Sequence, residues 1–368
     1  MRPYTDILIV KPVLSQLPNC SIAKPKLSKL PNFPNCSFLL LHLLLLTSSY
    51  TFSQTLGGET VFSFLNLSPA PQTTALGGMN ISNRNKDVGL TFSNPSLLHP
   101  MHHGQLQAGY NSFPAGINNY FLQGAWHVNK WETTFGAAIN YLHYGTINQT
   151  DASGNELGTF KPSDYVVQVS ASRAYSSNIQ YGATLKLIQS DYGQYRAAGI
   201  ALDVAALYKD TTSLLQASLV LKNMGVQYRS YTGTEAGDLP FDIQAGISKK
   251  LKNAPLQFSL TLHHLHQFDI RYNDTVFNET AGDKSFFFDK LFRHVVLATQ
   301  LYIGEHVEIS AGYNHLRRSE LNIGSGGNGL NGFSAGVGVL FRKFQFRYTK
   351  AWYQTQRGFN QVGLNVDL

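Results

Sequence analysis

Phe241-Asp-Ile-Gln-Ala-Gly-Ile-Ser248 decides the fold. On an extended chain Phe241, Ile243, Ala245 and Ile247 fall on one side, and Asp242, Gln244, Gly246 and Ser248 on the other. A period of two marks a strand whose faces meet unlike surroundings. The same alternation runs through Leu256, Phe258, Leu260 and Leu262 against Gln257, Ser259, Thr261 and His263. Ile200, Leu202, Val204, Ala206 and Tyr208 alternate with Gly199, Ala201, Asp203 and Ala205. At the end of the chain Val362, Leu364, Val366 and Leu368 alternate with Gln361, Gly363, Asn365 and Asp367.

From Gly104 onward this period gives about fourteen strands of roughly 9–14 residues, the length a tilted strand needs to cross a membrane. The spans are 104–111, 118–128, 132–144, 163–174, 178–190, 194–208, 213–223, 239–250, 255–268, 291–304, 306–317, 329–341, 343–352 and 357–368. Every second link is short: Asn129–Trp131, Tyr175–Ser177, Lys209–Thr212, Leu251–Ala254, Glu305 and Arg342. The interleaved links include the long Gly145–Pro162, Met224–Asp238, Asp269–Lys290 and Asn314–Asn328. Short turns at one rim and long loops at the other describe an all-β, antiparallel transmembrane barrel of the outer-membrane kind. An even strand number places both barrel termini on the periplasmic side and the long loops outside.

Composition agrees. Charged residues make up 14% of the chain, well below the quarter usual in soluble domains. The net charge of +7 is scattered, with no basic block or stripe, so nucleic acid is excluded as a partner. Phe38–Leu46 is apolar but too short for a transmembrane helix. Lysines precede it and Thr51-Phe-Ser53 follows it, the order of a secretory signal peptide. Residues 1–53 are therefore expected to be a signal peptide with an upstream extension, with a start codon downstream of Met1, and mature protein beginning near Gln54. Cys20 and Cys36, the only two cysteines, would leave with it.

Residues 54–103 lack a strand period and carry Ala75-Leu-Gly-Gly78 and Asn94-Pro95. Many inward positions, such as Gly332, Ser334, Gly336 and Gly338, are small. A lumen of this size holds water unless filled, so the segment is expected to form a hatch inside the barrel at 104–368.

Chemistry-bearing motifs are missing. No G-x-S-x-G, Walker A or H-E-x-x-H sequence occurs, and no cofactor, metal or enzymatic activity is expected. His263, His264 and His266 resemble metal ligands, but strand alternation turns His264 away from His263. His102 and His103 lie at the junction of hatch and barrel. Asp203 and Lys186 fall on lumen faces, where they bond each other, the hatch or water, or select a solute. Trp126, Trp131, Tyr208, Phe344, Tyr348 and Trp352 suit an interfacial girdle or ordinary sheet packing.

Gly57-Gly-Glu-Thr-Val-Phe-Ser-Phe-Leu-Asn-Leu67 resembles the mature N-terminus of PorQ-type proteins. Ala75–Gly78, Asp87–Leu97, Gly154–Phe160 and Leu239–Gly246 resemble further parts of that family, and the Ala-Leu-Gly-Gly and Asn-Pro elements also resemble PorV-like and FadL-like fourteen-stranded barrels. The resemblance implies an outer-membrane component of the type IX secretion system. It implies as partners a PorZ-like surface protein and the PorU/PorV attachment complex, besides outer-membrane lipid.

Two functions follow as expectations. The first is a non-enzymatic barrel that docks partners through its outer loops, with Tyr228, Tyr231, Phe277, Phe286, Phe287 and Phe288 as anchors, since aromatics dominate interface hot spots. The second is a FadL-like transporter of hydrophobic small molecules across the outer membrane, which requires an apolar cavity leading through or past the hatch.

Overall fold

Each strand carries an apolar and a polar face, and backbone groups on any free edge would need partners. Closing the sheet on itself meets both demands. A computed structural model describes residues 60–270, 287–321, 329–354 and 357–368. The expected signal peptide, Phe277 and Phe286 lie outside the described residues. Fourteen antiparallel strands form one closed barrel, in which β1 (Gln105–Ser112) is hydrogen-bonded to both β2 (Asn118–Val128) and β16 (Arg357–Asp367). Between them, in order, stand β3 (Thr133–His143), β6 (Ser163–Ala174), β7 (Ile179–Tyr192), β8 (Tyr195–Asp210), β9 (Leu215–Arg229), β10 (Asp242–Lys250), β11 (Leu256–Leu262), β12 (Val295–Ile303), β13 (Val307–Asn314), β14 (Phe333–Phe341) and β15 (Phe344–Gln354). No described helix is long and apolar enough to cross a membrane.

The barrel is inverted relative to a soluble protein. On β7 the side chains of Lys186 and Thr184 are buried while Leu185 and Leu187 are about half exposed, at 49% and 52%. On β10 Asp242, Gln244 and Ser248 are buried, whereas Ile247 is exposed. Leu122, Val169, Ile200, Leu202, Leu219, Phe258, Leu297, Val337 and Phe346 continue the outward apolar surface. A contiguous apolar belt of this extent is a surface made for hydrocarbon. Trp126, Trp131, Tyr208, Phe344 and Tyr348 are exposed on it.

The outer loops depart from the expected spans. Gly145–Pro162 contains a small hairpin of β4 (Ile147–Thr150) and β5 (Glu156–Phe160). β9 runs on to Arg229, so the loop after it is shorter than expected. β11 stops at Leu262 rather than 268, β12 begins at Val295 rather than 291, and β13 stops at Asn314 rather than 317. Helices α2 (Phe287–Arg293) and α3 (His315–Leu321) occupy the residues next to these strand ends. The first of them is closed by the i,i+4 pair Asp289–Arg293 at 2.9 Å.

Residues 60–103 lie inside the barrel. Thr60 bridges Asp238 at the long-loop rim. The chain then descends through the short helix α1 (Pro71–Ala75) and several single turns to Gly104, which accepts from the amide of Leu368 at the short-turn rim. α1 ends in left-handed Gly77 and Gly78, at φ of 90° and 87°, with the Gly78 amide bonded back to the Thr73 carbonyl. That is the glycine-dependent stop that a short helix uses. The turn rests against β13 at Gly312, where any Cβ would collide with the Gly77 backbone. Of the small inward residues, Ser334 and Gly336 likewise seat the hatch, at Gly77 and Ala75, whereas Gly338 leaves room for Arg347 and Gly332 for Arg318.

Candidate functional site

The lumen divides into a polar seat at the short-turn end and an apolar chamber at the long-loop end. In the seat, Arg347 on β15 donates through Nε to Asp87 of the hatch at 2.5 Å and through Nη1 to Glu308 of β13 at 3.1 Å. All three side chains are buried. The other oxygen of Glu308 accepts from Gln72 of the hatch at 2.8 Å and from Gln300 at 2.5 Å. Asn83 of the hatch donates to Gln300 at 2.6 Å and accepts from Gln257 at 2.9 Å. Hatch and wall therefore share one continuous network, and burial strengthens every link in it. Higher up, the Gly77 amide and the Ala75 carbonyl both bond Ser334, each at 3.0 Å, and Thr349 donates to the Pro71 carbonyl at 2.9 Å. Asn94 donates to the Ile81 carbonyl at 2.6 Å and caps Ser96 at 2.9 Å, so the Asn-Pro element shapes the hatch itself. Below the clamp, Arg84, Lys86, Asp87, Lys209, Lys250 and Tyr302 help line a cavity of about 480 Å³.

Lys186 and Asp203 form a buried ion pair at 2.6 Å. Lys186 also donates to Asn223 at 2.8 Å, and the Asn223 amide donates to Asp203 at 2.8 Å. Asn223 sits at φ 56°, where the β8–β9 register shifts between Leu202 and Val204. Of the expected alternatives, these two residues bond each other and shape a bulge.

The chamber is of the apolar kind that the transporter expectation requires. Inward positions near the long loops are Phe121, Leu142, Val166, Ile188, Ala197 and Ala201, and they pack with Phe62, Phe64, Leu65 and Phe92 of the hatch. Phe92 meets Phe121 edge to face at 5.3 Å. Beside this cluster a cavity of about 430 Å³ is bounded by Phe64, Leu67, Phe113, Ile117, Leu142, Tyr353 and Phe359. Its wall carries Tyr144, whose hydroxyl donates to Asp164 at 2.5 Å; Tyr192 donates to the same oxygen at 2.9 Å. Burial, and then Asp164, push the Tyr144 phenol far above its ordinary pKa, so it stays a neutral donor. The volume and the few convergent polar groups are those of a small-molecule pocket. Sequence patterning gave no warning, because the apolar inward residues are one or two per strand and lie at the strand ends.

The expected docking anchors separate. Phe287 and Phe288 on α2 are exposed at 61% and 56%, and Tyr228 at 66%. Tyr231 is turned inward instead, with its ring 5.8 Å from Tyr192 and its side chain packed on the apolar cluster. It packs on the apolar cluster, whereas Tyr228 stands exposed.

The histidines also differ from expectation. β11 ends before His263, and His264 adopts φ 54°, so strand alternation no longer applies. The two Nδ1 atoms face each other at 2.6 Å, and Asp242 joins them in a group whose ligand atoms lie within 4.8 Å of one another. Burial, then His264 and His294, hold the His263 imidazole down to about 3. His102 is buried at the bottom of the hatch with His99, both rings facing the Asn85 carbonyl, at 3.1 and 3.0 Å. His103 accepts from the His127 amide at 3.0 Å.

No protein-family model and no curated protein matches the sequence. Among solved structures, the chain is similar to the toluene transporter TodX of Pseudomonas putida at 10% identity and a TM-score of 0.46, covering 80% of this chain and 95% of that one. It is similar to the CymD monoaromatic hydrocarbon channel at 11% and 0.48, covering 83% and 97%, and to KdgM porin at 5% and 0.33, covering 72% and 99%.

Proposed function

We propose that this chain is a barrel of a Gram-negative outer membrane that captures a hydrophobic small molecule in the chamber beneath its long loops, as the first step of transport inward. The observation that carries this is the apolar cavity of about 430 Å³ bounded by Phe64, Phe113, Leu142 and Phe359. The membrane assignment is supported by the closed edge and the outward apolar belt, since hydrocarbon tolerates no unsatisfied backbone. The chain acts as a binding and transport protein with no covalent step. Onward passage requires the hatch to shift, because the Asp87–Arg347–Glu308 clamp closes the seat below. Deletion strains complemented with wild type or with Leu142→Asn test the reading. Uptake of a labelled hydrophobic compound should fall in the deletion and stay low with the variant. Uptake equal in all strains would refute it.

A second reading has its own support. Phe287, Phe288 and Phe292 on α2 stand exposed together near Phe268, whose ring lies 5.7 Å from Phe287. With the PorQ-type resemblance, this patch favours a docking scaffold of the type IX apparatus that holds a PorZ-like protein beside PorU and PorV. A pull-down from outer membranes with and without 269–290 separates the two. A surface protein retained only with the loop present supports docking; retention of the same proteins in both preparations opposes it.

A further inference from the structure

We propose that Asp242, His263 and His264 form a binding site for a zinc-class divalent cation at the long-loop rim. The claim is independent of the ligand-capture reading and rests on three placements. First, the end of β11 and the positive φ of His264 bring two adjacent imidazoles onto one side, with their Nδ1 atoms 2.6 Å apart. Second, Asp242 opens β10 on the neighbouring strand, and its Oδ2 lies 3.9 Å from His264 Nδ1. Third, the carboxylate is already oriented: Oδ1 accepts from the His264 amide at 2.6 Å and Oδ2 from Gln244 at 2.6 Å. Outer hydrogen bonds of this kind fix ligand geometry and tune affinity.

The donor set suits the ion. Two imidazoles and one carboxylate match the His₂-carboxylate shell that zinc takes when it keeps a position for water. Ligation spreads the two nitrogens from their shared-proton spacing to about 3.3 Å, the separation of two ligands at about 2.0–2.1 Å around a tetrahedral ion. The nitrogens move apart by well under 1 Å, and the Asp242 carboxylate, in a group spread over up to 4.8 Å, closes on them by about 1–1.5 Å to reach the same spacing, through side-chain torsions. Access is from the rim, where the His264 side chain is 27% exposed. His266 lies beside the group, with its ring 6.0 Å from that of His264. His294 ties the loop from behind, with Nδ1 2.8 Å from the His263 carbonyl and Nε2 3.0 Å from the Phe268 carbonyl. A bound ion would thus join the start of β10 to the loop that follows β11.

Equilibrium dialysis of the folded barrel, purified without a histidine tag, against Zn²⁺ alone tests the site. One ion per barrel is expected, with apparent affinity weakened about 10-fold or more in His264→Ala, a loss at least as large as outer-shell substitutions cause. His306→Ala, an exposed histidine outside the group, should bind as wild type. Co²⁺ in place of Zn²⁺ should give the visible absorption of a tetrahedral nitrogen–oxygen site, absent in His264→Ala. The heat-dependent gel shift of a closed barrel checks that each variant is folded. Folded wild type that holds no ion above a detergent blank, or folded His264→Ala that binds as tightly as wild type, would overturn the assignment.

Discussion

At the long-loop end the lumen wall is Phe121, Leu142, Val166, Ile188 and Phe359; at the short-turn end it is Gln257, Gln300, Glu308, Gln345 and Arg347. The same hatch passes both. Above, it contributes Phe62, Phe64 and Leu65 to an apolar cluster; below, it contributes Asn83 and Asp87 to a hydrogen-bonded and ionic lattice. Apolar contact is non-directional, so the upper end can leave a cavity and accept a guest with small side-chain shifts. A buried ionic lattice is directional and intolerant of partial occupancy. The barrel is therefore receptive at one end and closed at the other.

The sharpest way to break this contrast is Arg347→Met. Two carboxylates would then stay buried without their cation, at a cost of about 3–5 kcal/mol. Urea titration should show a large loss of stability, or planar-bilayer recording a new conductance as the hatch leaves its seat. A variant as stable and as closed as wild type would show that the clamp does not hold the hatch. Leu142→Asn places an unpaired amide in the upper chamber and should weaken hydrophobic-ligand binding by about 1–3 kcal/mol while the barrel stays closed. Fluorescence titration with an environment-sensitive hydrophobic probe measures this, and unchanged affinity would move the binding site elsewhere. Gly312→Val drives a side chain into the Gly77 turn, and overpacking of this kind costs about 1–3 kcal/mol. Protease should then cut between Pro69 and Asn83 faster than in wild type; equal rates would mean the turn has room to yield. Phe287→Ser with Phe288→Ser removes the ring contact with Phe268 and should change barrel stability by no more than about 1.5 kcal/mol, the worth of an aromatic pair. A larger loss would make α2 a structural part of the barrel rather than a surface patch.

The strands were legible because each alternates between two solvents. β2 and β6 begin and end where the period does, at Asn118–Val128 and Ser163–Ala174. The period misleads where it meets a helix. Leu291 and Phe292 look like strand residues beside Val295 and Val296, but they lie on α2. The small inward residues announced an occupant, and Ala75-Leu-Gly-Gly78 is the turn that meets them. Its contacts were not legible, because Gln72 with Glu308 and Asp87 with Arg347 join positions more than 200 residues apart. The Asp242–His263–His264 group escaped for a local reason: alternation was carried through His263, His264 and His266, past the end of β11 at Leu262. The register Ala245↔Leu262 already sets Asp242 close to the residues that follow, a signal that strand pairing gives and periodicity does not.

The most direct measurement is photolabelling of the folded barrel with a diazirine-bearing hydrophobic ligand, with an excess of unlabelled ligand as competitor. Competable label on peptides carrying Phe64, Phe113, Leu142 or Phe359 is the predicted result. Label confined to outward residues such as Leu187 and Phe258, undiminished by competitor, would contradict the account.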